Sequence, residues 1–150
     1  MKIIGIVGAG KANKELLKSA EEVGRLLAIE GVIIVTGGLG GVMEAVCRGA
    51  YINGGITVGI LPTDRKKDAN PYVKIPIPTG MGEMRNSLIV RASDILIAIG
   101  GGYGTLSEIA LALKTGKKVI GLKTWNIPGI IESHSVEEAV SIATSLIKGK

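Results

Sequence analysis

Short apolar runs alternate with amphipathic stretches along the whole chain. The runs are β-branched and bounded by glycine or charge, which is typical of strands. They predict strands at Lys2 to Val7, Val32 to Thr36, Thr57 to Leu61, Ile95 to Ile99 and Lys118 to Leu122. In the stretches between and after them, apolar positions recur every three or four residues, which predicts helices. These are Glu15 to Ile29, Val42 to Ile52, Glu83 to Ala92, Thr105 to Thr115 and Val136 to Ile147.

This alternation of strands and helices predicts the fold class. Strands joined through helices by short connections pair in parallel, through right-handed crossovers. We therefore expect a three-layer α/β fold, a doubly wound parallel sheet between two layers of helices, in a single domain over residues 1–150. Because ligands of such sheets bind at the carboxyl ends of the strands, the residues that follow each strand are the candidates for contact with a ligand.

Three glycine-rich turns follow predicted strands and are expected to meet at that edge. They are Gly8-Ala9-Gly10, residues 37–41 and residues 100–104. Glycine lets the backbone approach an anion, and a helix start after it offers unpaired N–H groups, so these turns predict phosphate or nucleotide binding. For the second turn, close packing of helix on sheet explains glycine equally well. The residues expected to contact the ligand are Gly8, Gly10, Gly37, Gly38, Gly41, Gly101, Gly102, Gly104 and Thr105.

Two charged residues are the candidates for catalysis. Glu108 lies one turn into the helix after the third glycine turn. A carboxylate there would repel a bound phosphate, so its presence indicates either a helix cap or a catalytic role. With Thr105 as the helix cap, Thr105-Leu106-Ser107-Glu108 fits a capping box, which explains the spacing but not the glycines before it. Arg85, near the predicted start of a helix, suits bidentate contact with phosphate or carboxylate, although a surface arginine is the simpler interpretation.

The sequence indicates no cofactor. Gly8-Ala9-Gly10 begins like a dinucleotide fingerprint, but Asn13 stands at the third glycine position and no acidic residue ends the second strand. The same segment departs from the Walker A pattern, since Ala12 replaces the magnesium-binding hydroxyl. One histidine and one cysteine cannot assemble a transition-metal cluster, so we predict no metal. Cys47, within a helical pattern, is expected to be a buried, reduced thiol.

The amino-acid composition limits the classes of partner that this protein is expected to bind. The net charge of +5 favours anionic ligands, but the cations are scattered and the chain has three Tyr, one Trp and no Phe, so nucleic acid is not expected. No apolar stretch approaches the roughly 20 residues that cross a bilayer, and we predict a soluble, cytoplasmic protein without membrane contact. The long segment from Pro62 to Gly82 is a candidate lid or subunit contact, or a plain surface loop. Trp125 either anchors its loop or stacks on a ligand.

Three segments together resemble a known family. Residues 36–45, Met84-Arg85-Asn86 and residues 100–108 are similar to the signatures of the Lonely guy proteins, cytokinin riboside 5′-monophosphate phosphoribohydrolases of the lysine decarboxylase-like Rossmann superfamily. Where that family reads P-G-G-x-G-T-x-x-E, the chain keeps all but the proline, which Gly100 replaces, and Asn86 stands where the family has lysine. The departures are similar to a sister group that includes molybdenum cofactor carrier proteins.

The resemblance implies a Rossmann-like fold and a reaction. A phosphoribohydrolase cleaves the N-glycosidic bond of a nucleoside 5′-monophosphate to a free base and ribose 5-phosphate. Glu108 would then act at the anomeric carbon, Arg85 would orient Glu108 or the substrate, and the third glycine turn would hold the phosphate without metal. The alternative is a carrier or sensor of a phosphorylated pterin or nucleotide, with Glu108 as a cap only. Pyridoxal-dependent decarboxylation is not expected. Because members of the family are at least dimers, the resemblance also implies self-association.

Overall fold

Seven parallel strands form the sheet at the centre of the protein, which a computed structural model describes over residues 2–149. In chain order they are β1 (Ile3–Gly8), β2 (Ile33–Thr36), β3 (Thr57–Leu61), β4 (Ile75–Pro78), β5 (Ile95–Ile99), β6 (Val119–Leu122) and β7 (Ile131–Ser133). Across the sheet their order is β4-β3-β2-β1-β5-β6-β7.

Five helices cover the two faces of this sheet. They are α1 (Lys14–Ile29), α2 (Val42–Ile52), α3 (Asn86–Ala92), α4 (Tyr103–Lys114) and α5 (Val136–Lys148). Buried side chains of α1, α2 and α5 pack on one face, and those of α3 and α4 pack on the other. This arrangement confirms the predicted fold class. No helix in the described residues is long and apolar enough to cross a membrane.

The position of the site follows from the two central strands. β1 pairs with β5, from Ile4 against Ile95 to Gly8 against Ile99. The chain leaves β1 towards β2 and leaves β5 towards β6, on opposite sides, so a crevice opens between the carboxyl ends of these two strands. All five residues of β5 are buried, as expected for a parallel strand covered on both faces.

Close contact between α1 and α2 closes the layer on one face. A Cβ on Gly24 would lie 2.0 Å from the carbonyl oxygen of Val46, and one on Gly49 would lie 1.9 Å from that of Glu21. Both collisions are with backbone atoms, which cannot move aside as a flexible side chain can. Glycine at these two helical positions is therefore required by the packing of the two helices.

Two strands are additional to the five predicted from sequence, and both lie at edges of the sheet; the alternation of Val73, Ile75 and Ile77 indicated at most a short extended piece where β4 forms. β4 lies within the segment from Pro62 to Gly82, where Pro76 and Pro78 interrupt the strand pattern; proline is tolerated at a free edge. β7 has three residues, too few for an alternation to be read. The predicted helix from Glu83 to Ala92 also differs, because residues 82–85 form a 3₁₀ turn before α3 begins.

The segment that contains β4 is tied to the rest of the molecule. The backbone N–H of Asn70 donates to the Gly38 carbonyl at 2.9 Å, and its side-chain amide donates to the Leu39 carbonyl at the same distance. Val73 packs against Gly59 of β3. This stretch is thus built into the sheet edge and supports the turn after β2.

Candidate functional site

A cavity of about 290 Å³ occupies the crevice between the ends of β1 and β5. It brings together most of the residues predicted from sequence, which come from four separate stretches of chain. Its lining consists of Ile6, Val7, Gly8, Ala9, Gly10, Gly37, Met43, Arg85, Asn86, Ile89, Gly102, Gly104, Thr105 and Glu108. Apolar side chains therefore form much of its wall, while the polar groups come from α3 and α4 with the turn before each.

The turn from β5 into α4 presents a set of unpaired backbone donors. The first bond of the helix runs from Leu106 N–H to the Gly102 carbonyl at 3.0 Å. Within the described chain, the N–H groups of Gly101 to Thr105 have no acceptor. Gly102 and Gly104 are exposed. A row of free N–H groups at the positive end of a helix dipole favours an anion.

Two carbonyl groups of the same turn accept hydrogen bonds from side chains of another loop. Thr124 donates its hydroxyl to the Gly100 carbonyl at 2.6 Å, and the indole N–H of Trp125 donates to the Gly102 carbonyl at 3.0 Å. Both donors belong to the loop between β6 and β7. Because two carbonyls are fixed in this way, the neighbouring N–H groups are preorganised for a ligand. Trp125 thus anchors its loop, one of the two roles considered from sequence.

Arg85 lies at the cavity wall with an incomplete set of partners. It is 8 % exposed, at the junction of the 3₁₀ turn and α3. One terminal nitrogen donates to the Asn86 side-chain oxygen and the other to the Gly37 carbonyl at 3.4 Å, while the buried Nε has no partner in the described chain. A Cβ on Gly37 would lie 2.6 Å from the guanidinium, so glycine there makes room for it. Burial lowers the pKa of Arg85, against the opposing charges of Glu108 and Glu83.

Glu108 is a buried carboxyl group in the same cavity. It lies on α4, is 7 % exposed and has no hydrogen-bond partner in the described chain. Burial raises the pKa of Glu108 to about 8, and the nearby charge of Arg85 offsets only part of that rise. At pH 7 the carboxyl group is therefore mainly protonated. A buried titratable group with a strongly shifted pKa, in a cleft beside one opposite charge, marks a functional-site candidate.

The capping-box interpretation of Glu108 is wrong. The helix begins two residues earlier than predicted, at Tyr103, and its N-cap is Gly102, where no side chain forms a capping bond. Thr105 is the third helical residue and is buried against Gly101. By contrast, Ser135 does cap α5, accepting from the Glu138 N–H at 3.0 Å. The turn after β5 leaves its donors uncapped, and Glu108 faces the cavity with them.

Three of the predicted glycines do not line the cavity. Gly38 has a φ of 76° and lies against Leu61 and Gly59, and Gly41 has a φ of 66° and lies against the Ala9 and Gly10 carbonyls. Gly101, with a φ of 108°, packs on Thr105. Their backbone angles and contacts explain glycine at these positions without a ligand. Gly8, Gly10, Gly37, Gly102 and Gly104 are the predicted glycines that the cavity brings together.

Several residues around the cavity were not predicted as site residues. Met43 and Ile89 contribute apolar wall, Asn86 orients Arg85, and Thr124 and Trp125 hold the amide turn. Thr124 and Trp125 sit more than twenty positions after the turn they support, so only tertiary structure reveals their role. The described residues contain no group of three or more metal-ligating side chains. Cys47 is buried, and burial raises the pKa of its thiol.

Sequence comparisons show where the chain belongs. The model of the SLOG cluster4 family matches residues 1–148. An uncharacterized protein of Archaeoglobus fulgidus is 50% identical over 147 residues, which cover 95% of this chain and 94% of that protein. The cytokinin riboside 5′-monophosphate phosphoribohydrolase LOG of rice (Oryza sativa subsp. japonica) is 31% identical over 135 residues, which cover 83% of this chain. The match spans about half, 54%, of the rice enzyme.

Structural comparisons agree over nearly the full length. The molybdenum cofactor binding protein of Rippkaea orientalis has a TM-score of 0.92 and 39% identity, with 97% of each chain covered. The molybdenum cofactor carrier protein of Chlamydomonas reinhardtii has a TM-score of 0.90 and 34% identity, with 99% of each covered. DNA processing protein A of Helicobacter pylori shares the fold alone, at 16% identity and a TM-score of 0.74 over 97% of this chain and 81% of that one. With the Lonely guy signatures and this Rossmann-like fold together, the chain belongs to the SLOG cluster4 family.

Proposed function

We propose that this protein binds a nucleoside 5′-monophosphate in the cavity and hydrolyses its N-glycosidic bond, releasing the free base and ribose 5-phosphate. The observation that carries the proposal is the burial of Glu108 beside the amide turn. A carboxyl group is a poor choice for a site that only holds a phosphate, because its ionised form, which becomes populated towards pH 8, repels the anion. Removing the group from water also lowers the stability of the fold, so a chemical role explains its presence better.

The phosphate would bind at the start of α4. The unpaired N–H groups of Gly102, Gly104 and Thr105 supply donors for its oxygens, and the Thr105 hydroxyl lies at the same wall of the cavity. Arg85 adds a positive charge that burial keeps poorly screened. These groups need no metal ion to hold a dianion.

The ribose would then lie between the amide turn and Glu108. Cleavage of an N-glycosidic bond passes through an oxocarbenium-like state, which a carboxylate at the anomeric carbon stabilises. The carbon–nitrogen bond breaks with its electron pair going to the base, and the oxygen of water bonds to the anomeric carbon. The water loses one proton and the base takes one up, so the net step adds H to the base and OH to the ribose. Since the ionised form of Glu108 performs this role, base release is expected to rise with pH, reach half of its maximum at about pH 8 and level off above that.

A carrier function is the second candidate, and the structural comparisons favour it. Proteins described as binding or carrying the molybdenum cofactor are 34–39% identical to this chain, and each match covers 97–99% of both chains. The rice phosphoribohydrolase is 31% identical, and the match covers 83% of this chain and 54% of the rice enzyme. Asn86 and Gly100 stand where the hydrolase signatures have lysine and proline. In this alternative, the same amide turn holds a phosphorylated pterin and no bond is cleaved.

A base-release assay with ligand binding measured on the same samples separates the two functions. Wild type, Glu108→Gln, Arg85→Lys and, as a matched control, Glu137→Gln at an exposed position of α5 are incubated with AMP and other nucleoside 5′-monophosphates. We expect release by wild type and Glu137→Gln, a loss of about 10²- to 10⁴-fold in Glu108→Gln with AMP still bound, and weaker binding in Arg85→Lys. Tight binding without release by wild type would instead identify a carrier.

Other expectations for this protein stay predictions. Self-association follows from the family resemblance, and a cytoplasmic setting and the absence of nucleic-acid partners follow from composition. We infer a small phosphorylated molecule as the partner, because the cavity and the amide turn suit one. Analytical ultracentrifugation with and without AMP tests the self-association.

A further inference from the structure

Two aromatic side chains stack on each other beside the amide turn. The rings of Tyr103 and Trp125 have centroids 6.0 Å apart and an interplanar angle of 28°. Tyr103 is 85% exposed, more than any other large hydrophobic side chain among the described residues. With three tyrosines, one tryptophan and no phenylalanine, the chain places half of its aromatic rings here. We call this pair the aromatic shelf.

The aromatic shelf is fixed to the turn rather than being loosely attached. The Trp125 indole N–H donates to the Gly102 carbonyl at 3.0 Å, and Gly102 also lines the cavity. Just before Trp125, Lys123 has a φ of 53°, and it is the one non-glycine residue with a positive φ in the described chain. Unfavourable backbone angles persist where the surrounding structure enforces them, often at ligand-binding positions. The shelf is therefore a preorganised surface.

The aromatic shelf lies beside the amide turn but is not part of the cavity wall. Gly102 and Gly104 line the cavity, but neither Tyr103 between them nor Trp125 does. The cavity volume of about 290 Å³ is near the lower end of the roughly 300–1,000 Å³ usual for ligand sites. A nucleoside with its phosphate at the turn would fill that cavity and leave the exposed ring of Tyr103 without contact.

We propose that the aromatic shelf binds a second planar heterocycle, so that the ligand class is a dinucleotide in which a pyrophosphate joins two nucleosides. This inference rests on the proposed function, since it takes the cavity as the place of the first nucleoside and the amide turn as the place of the phosphate. The second phosphate continues past Gly102, and the second base stacks on the free face of Tyr103. Stacking suits this role because every nucleobase has a π-face.

Calorimetric titration with two probes, AMP and diadenosine pyrophosphate, tests the proposal. The Glu108→Gln protein is used so that neither ligand is cleaved, and Tyr103→Ala and Tyr103→Phe are added to it. Stacking of one base predicts that diadenosine pyrophosphate binds about 5- to 150-fold more tightly than AMP. Tyr103→Ala is expected to abolish this advantage while changing the AMP affinity less than about twofold, and Tyr103→Phe is expected to keep it.

Two further measurements serve as a control variant and as an independent probe of the aromatic shelf. Tyr51→Ala removes a half-exposed tyrosine from a second ring pair, with Tyr72, and is expected to change neither affinity. Because Trp125 is the single tryptophan, its fluorescence in the wild-type protein reports directly on the shelf and should change with diadenosine pyrophosphate more than with AMP. Retained circular dichroism shows that the variants are folded.

The outcomes separate this proposal from the hydrolase proposal. Equal affinities for the two probes, or an equal loss of both in Tyr103→Ala, overturn the aromatic shelf alone when wild type still releases base from AMP. A dinucleotide advantage that depends on Tyr103, without base release from either probe by wild type, supports the shelf and overturns hydrolysis. If neither probe binds, both proposals are wrong.

Discussion

The turn after β2 and the turn after β5 are both rich in glycine, but their glycines have different surroundings. After β2, a Cβ on Gly38 would lie 2.6 Å from the Leu61 side chain, and one on Gly41 would lie 2.4 Å from two backbone carbonyls. After β5, Gly102 has nothing within 4 Å, and the nearest atom to a Cβ on Gly104 is the Asn86 amide nitrogen at 4.0 Å. Packing requires glycine at Gly38 and Gly41 of the first turn, whereas Gly102 and Gly104 of the second turn keep open space beside the cavity.

The same contrast extends to the helices that follow. On the side of β2, Gly49 of α2 allows a close approach to α1. On the side of β5, α4 begins with uncapped N–H groups and buries the carboxyl group of Glu108. Uncapped helix ends and buried carboxyl groups lower stability, whereas close packing raises it. Similar glycine patterns therefore allow close, stabilising packing on one side of the sheet and leave room for a ligand on the other.

Glu108→Gln is expected to give the largest change, a gain of about 3 kcal/mol in the free energy of unfolding at pH 7. The unfolded carboxyl group ionises near pH 4.5 and the folded one near pH 8, so the stability of wild type falls as pH rises between these values. Glutamine stays neutral throughout. Urea unfolding of wild type and Glu108→Gln at pH 4, 7 and 8.5 should therefore show similar stabilities at pH 4 and a widening gap above it. A constant difference across pH would contradict the prediction.

Gly49→Ala is expected to lower the free energy of unfolding by about 2 kcal/mol. Alanine gains about 1 kcal/mol over glycine in a helix, but its Cβ would collide with the Glu21 carbonyl at 1.9 Å and force α1 away from α2. Urea unfolding measures the loss, and ligand binding by the folded variant should be unchanged. Unaltered stability would show that the two helices move apart at little cost.

Sequence reasoning found the fold because each central strand carries its own signal. The β5 run from Ile95 to Ile99 is apolar throughout, and the helices around it have clear periodicity, whereas the edge strands β4 and β7 are short or contain proline. At the site, glycine patterns located the turns but not their roles. Whether a glycine such as Gly41 or Gly104 has a neighbour depends on elements far along the chain. The role of Trp125 depends on them in the same way, as does the burial of Glu108.

Thr124→Val is expected to lower the free energy of unfolding by about 1 kcal/mol, since it removes the hydroxyl that donates to the Gly100 carbonyl at 2.6 Å. Valine is close to threonine in shape, so the change tests the hydrogen bond and little else. Because this bond helps to hold the amide turn, AMP affinity should fall as well. The matched Thr115→Val, which removes a hydroxyl bonded within the exposed end of α4, should leave AMP affinity unchanged. Equal affinities in the two variants would show that the tether does not preorganise the turn.

Gly104→Ala is expected to have the smallest effect on stability, and its sign is opposite to that of Gly49→Ala. Both glycines are helical, so alanine offers each the same gain in helix propensity, up to about 1 kcal/mol. At Gly104 no collision offsets the gain, and the protein should become slightly more stable. The new methyl group lies at the wall of the cavity, towards Asn86, so AMP affinity should nevertheless fall. Urea unfolding and calorimetric titration of the two variants side by side measure both effects. A protein that is more stable but binds AMP less tightly shows that glycine at 104 serves the ligand, whereas unchanged binding would mean that the open space beside this turn is not where the phosphate lies.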